Sequence, residues 1–233
     1  MSAARLLAET WPPVATRRIG PFTLREGGGG KRVEAATCDG VPTHDDLARA
    51  ERAMDGAGRR ALVSVAPDQR ELDRMLAERG YLVLDPTLLL QGPTAPLAAH
   101  APPPVSGFTV WPPLRVQRDI WAEGRIGPDR IAVMERVAVP RVSILGRGSD
   151  QPAGTCFVAL SGRAVVVHAL EIRAAHRRRG LGRQMMAHAA RWGQDHGADR
   201  LSVLVTEAND PAIALYRGLG LQGGRCYHYR LRP

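Results

Sequence analysis

Ala61–Ala66, apolar except for Ser64, reads as a β-strand. Ala164–Ile172 is the strongest strand in the chain, a nearly continuous apolar run interrupted by His168. Further strands are expected at Ala15–Ile19, Phe22–Arg25, Val33–Thr37, Tyr81–Leu90, Arg141–Leu145, Gly154–Leu160, Leu201–Val205 and Cys226–Leu231. The Ser161-Gly162 pair marks a turn. Helices are expected from Thr43 to about Asp55, with Thr43 and Asp46 spaced as a capping pair, and from Asp68 to Arg79, where Gly80 suits the C′ position. Others fall at Arg130–Val137, at Gly180–His196, and from Pro211 to about Gly220 with Asp210 as cap. Strands alternating with helices imply a mixed α/β sheet.

Prolines divide this pattern. Seven of the 18 fall between Gln91 and Pro113. Proline fixes φ and removes a donor, so the stretch is expected to be extended and unpaired. The sequence therefore reads as an N-terminal α/β unit over 1–92, a linker over 93–105 and a larger unit over 106–233. A faint echo links the two units. Leu72, Met75, Leu76, Gly80 and Tyr81 have the spacing of Ala212, Leu215, Tyr216, Gly220 and Leu221. A degenerate duplication and the shared look of any helix–Gly–strand segment explain it equally well.

Length and composition are those of a globular chain: 233 residues, 44% hydrophobic and 24% charged. No apolar run approaches the ~18–20 residues that span a bilayer. The N-terminus carries Arg5 and Glu9 and no apolar leader core, so a cytoplasmic location is expected. The three cysteines are too scattered for a disulfide framework and have no metal-ligand spacing, so buried thiols and no metal are expected. Charge is more informative. Residues 1–105 carry 13 basic and 13 acidic side chains, while 106–233 carry 19 and 10, so the whole net charge of +9 lies in the second unit. That favours an anionic ligand there. The lack of aromatics interleaved with the arginines argues against nucleic acid.

Arg177-Arg178-Arg179-Gly180-Leu181-Gly182-Arg183 follows the strongest strand and opens a helix. Unpaired N–H groups and the positive end of the helix dipole make such a turn an anion site, and glycines let a phosphate approach the backbone. Gly27–Gly30 followed by Lys31 is a weaker candidate. Arg32 replaces the hydroxyl residue a phosphate loop requires, and a flexible hairpin loop fits better. The second segment is Asn209–Leu221, where Ala212, Leu215 and Leu219 share one helical face and Tyr216 lies beside it.

Together, in this order, the two segments resemble the GNAT superfamily of acyl-CoA-dependent N-acyltransferases. Its R/Q-x-x-G-x-G/A loop is matched by Arg177, Gly180 and Gly182, and its N-x-x-A-x-x-L-Y-x-x-x-G-F segment by Asn209, Ala212, Leu215, Tyr216 and Gly220. Leu221 departs from the usual aromatic. The N-terminal unit lacks both motifs. The resemblance implies a mixed, mostly antiparallel central sheet flanked by helices. It also implies acetyl-CoA as donor, with the amides of Arg178, Arg179, Gly180, Leu181, Gly182 and Arg183 holding its diphosphate. The backbone of Leu170, Glu171 and Ile172 would take the pantetheine arm and Asn209 would lie beside it. Tyr216 would protonate the departing thiolate, and the acceptor would be a primary amine on a small molecule or peptide. A non-catalytic acyl-CoA-binding module is the alternative.

An amine of pKa ~10.4 is mostly protonated at pH 7, so a positioned base helps. His168 is the first candidate. Its position nine residues before Arg177 matches a histidine of some family members, and strand parity places it with Val166, Leu170 and Ile172. Glu171, on the opposite face, is the second. Trp121, Glu123, Arg125, Arg130 and Glu135 lie where relatives build the acceptor wall.

Overall fold

Two halves of this chain each complete the other's sheet. The computed structural model describes residues 2–233. The first half runs α1 (Ala3–Thr10), β1 (Ala15–Ile19), β2 (Phe22–Glu26), α2 (Lys31–Glu34), β3 (Thr37–Cys38), α3 (His44–Gly56), β4 (Leu62–Val65), α4 (Arg70–Glu78) and β5 (Leu82–Pro93). After α5 (Thr94–Ala99) come β6 (Gly107–Val110), α6 (Arg115–Glu123), α7 (Pro128–Arg136), β7 (Arg141–Gly148), β8 (Gln151–Ser161) and β9 (Ala164–Ile172). A 3-10 turn leads to α8 (Leu181–Asp195), β10 (Arg200–Thr206), α9 (Asp210–Gly218) and β11 (Gln222–Leu231).

The eight-stranded sheet has the order β4-β11-β5-β10-β9-β8-β7-β6. Only β9 and β10 pair in parallel; the other pairings are antiparallel. Strand β5, from before the prolines, thus lies between the last two strands of the second half, and β11 lies between β4 and β5. The segments α3–β4–α4–β5 and α8–β10–α9–β11 have the same order, and their final strands are exchanged. A single parallel bridge, Ala36 with Val63, joins the small β1-β2-β3 sheet to β4, in the place that the β9–β10 pairing has in the second half.

Three points differ from the sequence reading. The division at 93–105 is one of the chain and not of the sheet, and the stretch is not a free linker. Strand β5 continues to Pro93, and α5 is tied down by Thr94 Oγ1 donating to the Ala198 carbonyl (3.2 Å) and by Arg191 Nε donating to that of Ala98 (2.8 Å). The strand expected at Val33–Thr37 is a helical turn, whose Val33 is fully buried, followed by the two-residue β3. Helices α1 and α6 fall where no element was expected.

Local chemistry explains the rest. Thr43 caps α3, accepting from Asp46 N (3.1 Å) while Asp46 Oδ2 accepts from Thr43 N (2.9 Å). Gly80, Gly197 and Gly220 take positive φ just beyond their helices. The core is layered around the sheet. Val165 and Val167 of β9 pack with Met185, Met186 and Ala189 of α8. On the other face Phe157 and Ala159 of β8 meet Trp11, Trp121 and Met134. Leu47, Met54, Leu72 and Leu76 fill a third cluster under β2 and β4. Among the described residues, no helix is long and apolar enough to cross a membrane.

Candidate active site

The parallel pairing of β9 and β10 ends at Val167 and Val203. Beyond it β10 stays on β5 as far as Thr206, and β9 stays on β8 as far as Ile172. The two strands therefore part, and the β9 edge from His168 to Ile172 borders a cleft. A bulge shapes that edge. Phe157 pairs with His168 but Thr155 with Glu171, so β9 carries one extra residue, and Ala169 takes a φ of 50°. Buried Trp121 donates Nε1–H to the Ala169 carbonyl (2.8 Å) and holds the bulge. The extra residue reverses the parity expected from sequence. Leu170 and Ile172 pack on the α8 side with Val165 and Val167, whereas Val166 and His168 face the α1 side.

Below the cleft, α8 starts with no side-chain cap. Gly180 precedes it with a φ of 82°, a left-handed conformation at which a larger residue would be strained. The N–H groups of Arg178 through Arg183 have no partner within the described chain. This row of amides at the positive end of a 15-residue helix is the feature that fits a diphosphate. Arg178 and Arg179 are exposed and carry no ion pair among the described residues, so they can add charge. Arg177 is committed elsewhere: Nε donates to the Ile172 carbonyl (2.8 Å) and Nη2 to Glu171 Oε1 (2.9 Å). It ties the loop to the end of β9 although its side chain stays exposed. Gly182 serves packing, because a Cβ there would lie 2.9 Å from Leu215 on α9.

Helix α9 buries Tyr216, its one buried residue, in the core cluster that includes Cys156 and Leu181. The cap is Asn209, whose Oδ1 accepts from Ala212 N (3.2 Å); Asp210, expected as cap, lies inside the first turn. The Tyr216 hydroxyl has no hydrogen-bond partner among the described residues. Burial raises its pKa, with Cys156 adding to the rise and Arg32 opposing it, so the phenol holds its proton at neutral pH.

His168 is sealed in. Its Nε2 lies 2.9 Å from Thr10 Oγ1, and that hydroxyl donates to the Leu6 carbonyl (2.6 Å), so Nε2 is the protonated nitrogen. Nδ1 is buried without a partner among the described residues, and the Trp11 ring lies against the imidazole at 4.9 Å between centroids, tilted by 32°. Burial, and secondarily Arg32, hold its pKa well below 6.5. The imidazole is a neutral structural group here, and Glu171 is ion-paired to Arg177. A depressed histidine stabilises the fold above its unfolded pKa of ~6.5, and that contribution is lost as pH falls below it, at up to about 1.4 kcal/mol per pH unit. Urea unfolding between pH 7.5 and 5.5 should show that loss, and His168→Gln should flatten it; an equal slope in both proteins would refute the assignment.

A pocket of about 200 Å³ opens at the cleft beside Ala169 and Thr206. Its wall includes Trp11, Lys31, Arg32, Asp85, Tyr227, Tyr229 and, from the α6–α7 region, Ile126 and Arg130. Neither His168 nor Glu171 lines it. Of the five residues expected in an acceptor wall, only Arg130 lines this pocket. Trp121 lies in the core, Glu123 pairs with Arg173 and Glu135 with Arg118, while Arg125 turns the chain at a φ of 60°. Arg32, which the sequence reading weighed only as a departure from a phosphate loop, lines this pocket beside Lys31.

Among the described residues, the first half has no equivalent row of unpaired amides at a helix start. Helix α3 begins with a satisfied capping box and with Asp45 and Asp46 in its first turn, which oppose a bound anion. Gln69, at the cap of α4 as Asn209 is of α9, bridges the parting strands: Oε1 accepts from Ala66 N (2.9 Å) and Nε2 donates to the Cys38 carbonyl (2.6 Å).

The fold is that of a mixed α/β protein whose sheet parts between its two parallel strands, with unpaired amides at the start of α8. Residues 121–221 match the model of the acetyltransferase (GNAT) family. Streptothricin acetyltransferase of Streptomyces lavendulae is 37% identical over 70 residues, which cover 29% of this chain and 37% of that enzyme. The match thus spans little more than a third of that relative. A GCN5-related N-acetyltransferase from Kribbella flavida superposes with a TM-score of 0.75 at 19% identity, covering 100% of this chain and 96% of its own. A tandem GNAT protein from the clavulanic acid biosynthesis pathway gives 0.66 at 17% identity, over 94% and 84%. At these identities the likeness is one of fold.

Proposed function

We propose that this chain is an acetyl-CoA-dependent N-acetyltransferase acting on a primary amine by direct attack, with the second half carrying the chemistry. The row of six unpaired amides from Arg178 to Arg183, set directly below the parted strands, carries this reading. Those amides, with Arg178 and Arg179, would hold the diphosphate of the donor. The free edge of Leu170–Ile172 would take the pantetheine arm as an added strand. Asn209 holds the start of α9, and so places Tyr216. Acetyl-CoA would supply the thioester carbonyl and a thiolate leaving group. Tyr216 holds a proton for that thiolate, and the acceptor would enter through the pocket beside Ala169. The family match and the acetyltransferase relative support the activity, and the small pocket favours a small-molecule acceptor over a peptide.

Calorimetric titration of the purified chain with acetyl-CoA tests the donor site. One site is expected. Reversing charge in Arg178→Glu together with Arg179→Glu should weaken binding by about 10-fold or more, the scale of one to two charge-assisted hydrogen bonds. No binding by the unaltered chain would overturn the reading.

A further inference from the structure

We propose that the acceptor is a small amine that also bears a carboxylate, and that Arg32, from the first half of the chain, is the residue that recognises it. This rests on the acetyltransferase reading above and adds the substrate class.

The argument starts from how Arg32 is held. A Cβ on Gly29 would meet Val133 of α7 at 2.6 Å, so the glycine run lies tight against that helix. Val33, the next residue after Arg32, is fully buried. These contacts fix the turn of α2 and direct Lys31 and Arg32 to the pocket wall. The two cations then differ. Lys31 Nζ sits 2.8 Å from Asp85 Oδ2, and Asp85 is the pocket's only carboxylate. Arg32 meets neutral oxygens alone: Nε donates to Tyr227 Oη (3.3 Å) and Nη2 to the Leu204 carbonyl (3.4 Å). Both bonds are long, and a guanidinium has five N–H groups to satisfy. Arg130, also on the wall, has no ion pair among the described residues.

Three cations therefore face one carboxylate that is already paired. A partly buried guanidinium without an anion is costly unless a ligand completes it. Its planar fork matches a carboxylate bidentately. Ala169 and Thr206 line the same small pocket at the mouth of the parted strands. A ligand of amino-acid size, anchored by its acid group on Arg32, can present its amine there. Trp11, Ile126, Tyr227 and Tyr229 offer largely apolar walls to the part between.

The test uses the full chain, saturating acetyl-CoA and mass-spectrometric detection of the acetylated product. Substrates are matched pairs with and without the acid group: 4-aminobutyrate against propylamine, leucine against isopentylamine, phenylalanine against phenethylamine. Phosphoethanolamine is added as a phosphate-bearing amine. In at least one pair the acid should be preferred in kcat/KM by about 10-fold or more. Arg32→Gln should reduce that ratio to near one, and Arg32→Lys should restore part of it. The same substrates are used throughout, so differences in amine basicity cancel in the comparison. Saturation-transfer NMR without donor gives an independent readout: the preferred acid should bind the unaltered chain and not Arg32→Gln. A ratio near or below one in every pair, a ratio unmoved by Arg32→Gln, preference for the phosphate, or no binding or turnover of any acid would each overturn the proposal. If acetyl-CoA itself fails to bind, the parent reading falls. If amines lacking the carboxylate are acetylated equally well, the acetyltransferase reading stands and only this inference falls.

Discussion

Tyr216→Phe is expected to lower kcat by about 10²- to 10⁴-fold, the range for loss of a positioned proton donor, while acetyl-CoA binding stays within about 3-fold. The structure makes this a clean substitution. The ring is buried among Cys156 and its neighbours in the α8-side core, and phenylalanine keeps it. The hydroxyl has no partner within the described chain, so its removal strands no buried donor or acceptor. Burial raises the phenol pKa, so the residue should stay protonated across neutral and mildly alkaline pH. The rate should show no loss from its ionisation below pH ~10, the ordinary value for tyrosine. Stopped-assay kinetics with calorimetry would separate the two quantities. A variant that transfers acetyl at the original rate would remove Tyr216 from the chemistry. A chain that binds donor but transfers to no amine, with or without the substitution, would be a binding module.

What could be read in advance was local. The amides of Arg178–Arg183 and the helix bearing Tyr216 were legible because glycine, proline and apolar spacing fix them within a few residues. The bulge at Ala169 had no such signal. It is held by Trp121, far away in sequence, and one extra residue was enough to move Leu170 and Ile172 to the face opposite His168. The histidine itself looked like a base because it interrupted an apolar strand. Its partner, Thr10, lies on a helix that no strong pattern announced. Helix α6 was equally silent, with Leu114 in its cap position and no acidic residue in its first turn. The pocket beside Ala169 was the least legible feature. Its wall joins Arg32, Asp85, Arg130, Ala169 and Tyr227, residues that only the exchange of strands between halves brings together.

That exchange predicts the largest stability effect. A fragment covering residues 106–233, which contains every residue matched to the donor site, is expected not to fold alone. Strand β5 pairs through Thr87–Pro93 with β10 and through Leu82–Gln91 with β11, so its loss separates β10 from β11. Leu88 and Leu90 leave the core with it. Burying such side chains is worth about 1.5–3 kcal/mol each, against a total stability of about 5–15 kcal/mol for an ordinary domain. Trp11 is lost from above His168 and Phe157, and Leu97 and Ala98 from against α8. The uncovered edge of β10, with Leu201, Val203 and Val205, is then free to pair with another chain. Expressed alone, the fragment should be insoluble or melt without a cooperative transition. Co-expressed with residues 1–105, it should yield a soluble complex with the circular dichroism of the intact chain. A soluble 106–233 fragment that unfolds cooperatively in urea would mean that the second half can close its sheet without β5, and the exchange would then be an ornament of the fold and not its foundation.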